Sequence, residues 1–203
     1  MRDKDTYLIQ AGLKSLGFDP GPLDGDFGPK TKRAMDAWHE SLNTPSDLSQ
    51  RIVAVAANEV GIRETSKNQG PGIAKYWSAT SYLDGYKNRE PYCAACVCWI
   101  VKQACADQSH SFSLPTSAVA YDFERWAKNN AGNGVALVEP EQARAGDIFT
   151  LSAASHVGIV ESVHGDTATT LEGNTDGSGS REGDGYYRRT RNLTSFRKVI
   201  RIL

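Results

Sequence analysis

Apolar side chains recur at helical spacing near the start of the chain, at Leu8, Ile9, Leu13 and Leu16, and predict an amphipathic helix. The Gly/Pro-dense stretch from Phe18 to Pro29 predicts a loop, and a second helix is expected from Lys30 to about Leu42. The polar, proline-bearing run Ser41-Leu42-Asn43-Thr44-Pro45-Ser46-Asp47 marks a boundary, placing one domain over 1–45 and another over 46–203. The second opens with an apolar helix from about Leu48 to Gly61. Pro91, followed by Ala94, Ala95, Val97, Trp99, Ile100, Val101 and Ala104, predicts a mostly buried helix over about 91–105. Beyond it the pattern turns to strands: Ile148 to Leu151, His156 to Val163, Thr167 to Glu172, and a closing run from Val199 to Leu203. Gly165-Asp166, after His164, supplies the turn that makes a hairpin of the middle two.

Composition removes several classes of function. With 203 residues and 39% hydrophobic content, the chain can bury a sizeable core. Lys plus Arg number 23 against 24 acidic residues, a net charge of −1. No global basic field invites nucleic acid, although Arg181 to Arg201 is locally basic. No stretch approaches the roughly 20 apolar residues needed to span a bilayer, and Met1-Arg2-Asp3-Lys4-Asp5-Thr6 leads into no signal-like apolar region. Synthesis in the cytoplasm without a signal peptide is expected.

Three of the four cysteines, Cys93, Cys96 and Cys98, fall within six positions of the 91–105 helix. Cys98 and Cys105 are seven residues apart, roughly 10 Å along a helix, which is too far for a disulfide. His110, His156 and His164 lack paired ligand spacing, so no zinc site is expected. Cys93 and Cys96 have the C-x-x-C spacing of a dithiol redox pair, which stands as an alternative. Cys96, Cys98 and Cys105 read as small buried hydrophobes. Cys93 differs because it falls in the first turn. Unsatisfied N–H groups and the positive end of the helix dipole favour a thiolate there and can hold an oxyanion.

A nucleophile needs a base. His39 lies on the polar flank of a helix, and His110 lies in the loop Asp107-Gln108-Ser109-His110-Ser111, so both read as solvated. His156 starts a strand at a sheet end, and His164 falls at the opposite end. If the two strands pair, Glu172-Gly173-Asn174 returns to the His156 end. Either Glu172 or Asn174 can then orient the imidazole.

Tyr92-Cys93-Ala94-Ala95, Gly146-Asp147-Ile148, Ser155-His156-Val157-Gly158-Ile159-Val160 and Leu171-Glu172-Gly173-Asn174 resemble the CHAP family of papain-like peptidoglycan amidases and endopeptidases. Glu64 to Trp77 is similar to one branch of it. The resemblance covers roughly 50–203 and implies an α+β fold with helices packed on an antiparallel sheet. It also implies Cys93 as nucleophile, His156 as base and Glu172 as third member, with Asn174 supporting or substituting. This chain departs from the family at Cys96, usually aromatic, and Cys98, usually small and polar. The family's calcium-binding branch uses an acidic loop ahead of the cysteine. Here Glu64, Asp84 and Glu90 form no tight D-x-D pattern, so neither metal nor cofactor is expected.

Asp24-Gly25-Asp26-Phe27-Gly28-Pro29-Lys30-Thr31 resembles the short helical peptidoglycan-binding domain attached to many wall hydrolases, over about residues 5–42. Most of that signature is structural: the glycines permit tight turns, Phe27 packs inward and Asp24 caps. Tyr92, Trp77, Asp24 and Phe27 are the expected substrate contacts. Asp176 to Gly185 is a flexible loop beside the orienting residues and a candidate substrate lip.

Together these resemblances imply a peptidoglycan hydrolase cleaving a muramoyl-L-alanine amide or a peptide bond. A non-catalytic wall-binding protein is the runner-up. The protein would reach the wall as a phage endolysin released by a holin-type pore, or as an antibacterial effector of a machine such as a type VI system. In the latter case an immunity protein would accompany it.

Overall fold

A computed structural model describes residues 3–43, 47–106, 110–152, 156–178 and 182–203. Residues 44–46 of the expected boundary, 107–109 before His110, Ser155 before His156 and 179–181 of the Gly/Ser loop lie outside the described residues. The chain divides into two compact units, Met1–Ser46 and Asp47–Leu203.

The first unit pairs α1 (Lys4–Ser15) with α2 (Pro29–Asn43). Asp3 caps α1, accepting from Asp5 N at 3.1 Å and from Thr6 Oγ1 at 2.7 Å, which satisfies a first-turn donor. Leu13 and Ala34 are buried, but a polar residue organises the loop between the helices. Gln10, 1% exposed, donates to Asp24 Oδ1 and the Asp26 carbonyl, both at 3.0 Å, and accepts from Gly25 N at 2.9 Å. Two sequence expectations change as a result. Phe27 does not pack inward and is 47% exposed, because the Gln10 hydrogen bonds already close the loop. Asp24 caps no helix; its carboxylate accepts from Gln10 and from Asp26 N at 3.0 Å. Leu8 (58%) and Leu16 (47%) of the predicted apolar stripe also face outward.

The second unit packs α3 (Asp47–Ala57), α4 (Cys93–Ala104) and α5 (Asp122–Asn129) with a sheet of β1 (Val135–Val138), β2 (Ile148–Leu151), β3 (Val157–His164), β4 (Thr167–Thr175), β5 (Gly185–Asn192) and β6 (Phe196–Ile202). The strand order is β1-β6-β2-β3-β4-β5, and every pairing is antiparallel. Strand alternation sends Ile148, Val157, Ile159, Leu171 and Ile200 into the large core with Ile52, Ile100 and Val101 of the helices. The alternate positions Phe149, Val160, Ala168 and Val199 build a smaller core on the other face, where Phe149 and Phe196 stack at 4.4 Å. Each fully buried Ile contributes roughly 1.5–3 kcal/mol. Burial on both faces explains why all four residues of β2, Ile148-Phe149-Thr150-Leu151, are buried rather than alternating.

Two features fix the helices and sheet in register. Gly146, ahead of β2, has φ +87°, and a Cβ there would lie 2.7 Å from Ser49 Cα on α3. Glycine alone tolerates both that backbone and that approach. Asp147 and Arg201, both nearly fully buried, pair through two hydrogen bonds of 3.1 and 2.9 Å. The conspicuous Gly-Asp dipeptide is thus used for packing and for anchoring β6.

Candidate active site

Cys93 is the first residue of α4, and the chain enters the helix at Tyr92 without a side-chain cap. The first intrahelical bond runs from Cys96 N to the Tyr92 carbonyl at 2.8 Å, so the N–H groups of residues 93–95 precede the helical ladder. Cys93 is 6% exposed. Burial opposes its ionisation, but the adjacent His156, with the N–H groups of Val157 and Ala94, outweighs it and lowers its pKa. Its neighbours behave oppositely. Burial raises Cys96 well above the ordinary thiol range and pushes Cys98 up to about 12. Of the three sulfurs on this helix, Cys93 is the one whose ionisation its surroundings favour.

His156 is fully buried, while His39, His110 and His164 are exposed. Its Nε2 donates to Glu172 Oε2 at 2.9 Å. Nδ1 is also buried and makes no hydrogen bond of its own; the thiol of Cys93, beside the ring, favours the charged imidazole. Burial disfavours the imidazolium, yet Cys93 and Glu172 together lift its pKa to about 9.

Glu172 has no exposed surface, and both its oxygens are occupied. Thr170 Oγ1 donates to Oε1 at 2.5 Å. Arg191 straddles the carboxylate, with Nε to Oε1 at 2.8 Å and Nη2 to Oε2 at 2.6 Å. Burial alone would raise its pKa, but Arg191 and His156 bring it down to about 2. The β3–β4 register, with Ile159 opposite Leu171, carries Glu172 to the His156 end of the sheet. Gly158 leaves room for it, since a Cβ there would lie 2.9 Å from Glu172 Cγ and 2.8 Å from Phe149 Cε1.

Of the two candidate orienting groups, Glu172 therefore bonds the ring. Asn174 is buried at φ +59°, where a register shift interrupts the β4–β5 pairing, and its carbonyl accepts from Gly183 N at 3.3 Å. Tyr92 (0% exposed) and Trp77 (2%) lie in the core, so their role is packing rather than surface contact with a polymer. Tyr92 stacks on Tyr76 at 6.1 Å, and Trp77 fills the space over Gly85, where a Cβ would lie 2.0 Å from its ring. Asp176, Glu182, Gly183 and Asp184 of the Asp176 to Gly185 loop border a surface cleft of about 470 Å³ together with Glu64, Lys67 and Asn68.

Thr170 and Arg191 are the site residues that sequence reasoning missed. Thr170 had a signal, lying two residues before Glu172 and thus on the same strand face. Arg191 reads as one of several alternating strand cations. Among the described residues, no group of three or more His, Cys, Asp or Glu is placed to hold a metal ion. All four cysteines are free. Among the described residues no helix is long and apolar enough to cross a membrane.

The charge pattern sets a pH window. His156 is raised from 6.5 to about 9, so its contribution to stability is complete below the unfolded value and is lost as pH rises through about 9. Glu172 is lowered from 4.5 to about 2, so its contribution is present above 4.5 and is lost as pH falls through about 2. Iodoacetamide should therefore alkylate Cys93 rapidly at pH 7, where an ordinary thiol is only a few per cent ionised. A rate that follows an unperturbed thiol titration would refute the ion pair.

Residues 81–174 match the CHAP domain family, and residues 2–47 match a putative peptidoglycan binding domain. No curated protein matches the chain. Among solved structures, similarity is found to the crystal structure of Ly7917, at 19% identity and a TM-score of 0.47 over 76% of this chain and 62% of that one. The crystal structure of Ly7917 with the hydrolyzing product of MDP gives 17% identity and a TM-score of 0.45 over the same shares. This chain thus spans less than two thirds of that protein's length. The chain comprises a helical, putative peptidoglycan-binding domain followed by an α+β CHAP domain.

Proposed function

We propose that the protein is a peptidoglycan hydrolase that cleaves an amide bond of the bacterial cell wall by cysteine nucleophilic catalysis. The observation that carries this reading is Cys93 at the start of α4 beside a fully buried His156, whose Nε2 is tied to Glu172 at 2.9 Å. The Cys93 thiolate attacks the amide carbonyl, and N–H groups at the α4 start stabilise the oxyanion. His156, already an imidazolium, protonates the departing amine, leaving a thioester on Cys93. Neutral His156 then takes a proton from water as hydroxide adds to the thioester, and collapse releases the acid and restores the thiolate. Glu172 holds the ring orientation throughout. The N-terminal unit raises the enzyme's local concentration on the polymer. The scissile bond is either the muramoyl-L-alanine amide or a peptide bond, and delivery to the wall is as an endolysin or an exported effector.

The test is incubation of purified protein with intact peptidoglycan, labelling of new amino termini, and mass spectrometry of the soluble fragments. Free L-alanine amines identify an amidase, and termini at later stem residues an endopeptidase. Wall that retains the protein but releases no fragments defeats the enzyme reading in favour of a binding protein.

A further inference from the structure

We propose that Arg191 is a positioning residue of this site, clamping both oxygens of Glu172 so that the carboxylate presents one fixed oxygen to the His156 ring. The proposal rests on reading Cys93 and His156 as the reacting pair. Arg191 lies on β5, separated from the β3 end that carries His156 by the whole of β4. It stands opposite Ala168, a residue small enough to let a long side chain run along the sheet to Glu172. The fork closes with Nε on Oε1 and Nη2 on Oε2, and Thr170 holds Oε1 from the carboxylate's own strand. His156 Nε2 then meets Oε2 at 2.9 Å. A bidentate guanidinium fixes the plane of a carboxylate, which a point charge does not.

The clamp matters most when His156 gives up its proton. Without Arg191, a fully buried carboxylate would then have no cationic partner, and its charge would draw the proton back onto the ring. With Arg191, Glu172 stays ionised in both states of the imidazole. The groups facing Glu172 are His156 just before β3, Arg191 and Tyr186 on β5 and Thr170 on β4. Cys93 of α4 acts through the ring.

The experiment compares wild type, Arg191→Met and Arg191→Lys by two readouts. One is the pH profile of peptidoglycan hydrolysis, resolved into kcat and KM. The other is the pH profile of Cys93 alkylation by iodoacetamide, which needs no substrate. Arg191→Met should lower kcat by ~10–100-fold with little change in KM. It should also move the acid limb of both profiles up by about 1–3 pH units, because Glu172 protonates more easily. Arg191→Lys keeps the charge without the fork, so it should restore the acid limb but only part of kcat. Wild-type profiles in Arg191→Met overturn the proposal. If that variant does not fold, Arg191→Lys decides, and a wild-type kcat in it overturns the clamp. Should wild-type protein release no wall fragments, the functional reading fails, while the alkylation profiles still test the clamp by themselves.

Discussion

Cys93→Ala will abolish the release of wall fragments and leave the fold standing. No other thiol on α4 can substitute, because burial keeps Cys96 and Cys98 protonated and they lack the His156 contact. Removing a nucleophile that acts as a unit with its base costs on the order of 10⁶-fold in kcat. The structural cost is small: one sulfur is lost at a site that is 6% exposed, and the melting temperature should move by a few degrees at most. The thiol is also the foremost of the groups raising the imidazole pKa, so the His156 resonance in the variant should titrate at lower pH than in wild type. Digestion, thermal unfolding and NMR titration check the three statements. Continued hydrolysis by the variant would place the nucleophile elsewhere and remove the basis of the mechanism.

Glu172→Gln will impair both activity and stability. The substitution keeps the shape but removes the charge that Arg191 and His156 share. Arg191, with a side chain 15% exposed, is left largely buried without its anion. Breaking one side of such a pair costs about 3–5 kcal/mol, which lowers the melting temperature by roughly 10 °C in a chain of this size. The glutamine amide can also donate to Nε2 and so hold the ring in the wrong tautomer, a change that costs about 10⁴-fold in kcat in analogous triads. Kinetics and thermal unfolding of the same preparation separate the two effects. Activity within tenfold of wild type would show that Glu172 serves stability alone.

The placement of Cys93, His156 and Glu172 was legible from sequence because it depends on local signals. Pro91 and the apolar run after it place Cys93 in a first turn, and the helix begins at Cys93. The Gly165-Asp166 turn returns Glu172 to the His156 end, but the register shift between Val160 and Ser162 that puts the two on one face is not announced by the sequence. Arg191 was not legible, because its partner is chosen by a strand pairing set 19 residues away, and nothing in Arg188-Arg189-Thr190-Arg191 distinguishes one arginine from the next. Arg188 in fact pairs with Glu161, and Arg189 donates to the Asp176 carbonyl. The same limit explains Tyr92 and Trp77, where an aromatic residue near a nucleophile suggests a binding platform but only the packing shows it buried. In the N-terminal unit, the periodicity of Leu8, Ile9, Leu13 and Leu16 correctly indicates a helix. It misjudges the burial of Leu8, Ile9 and Leu16, which are exposed, while the buried residues of α1 are Thr6, Gln10 and Leu13.

The strand order has a consequence for biogenesis. β6 lies between β1 and β2, with Ile202 opposite Val135 and Ile200 opposite both Leu137 and Ile148. During translation β1 and β2 emerge well before the strand that joins them, so the sheet stays split until Phe196–Ile202 leaves the ribosome. Arg201, the buried partner of Asp147, arrives in that same segment. A nascent chain therefore carries Cys93 and His156 long before it has the continuous sheet that supports them.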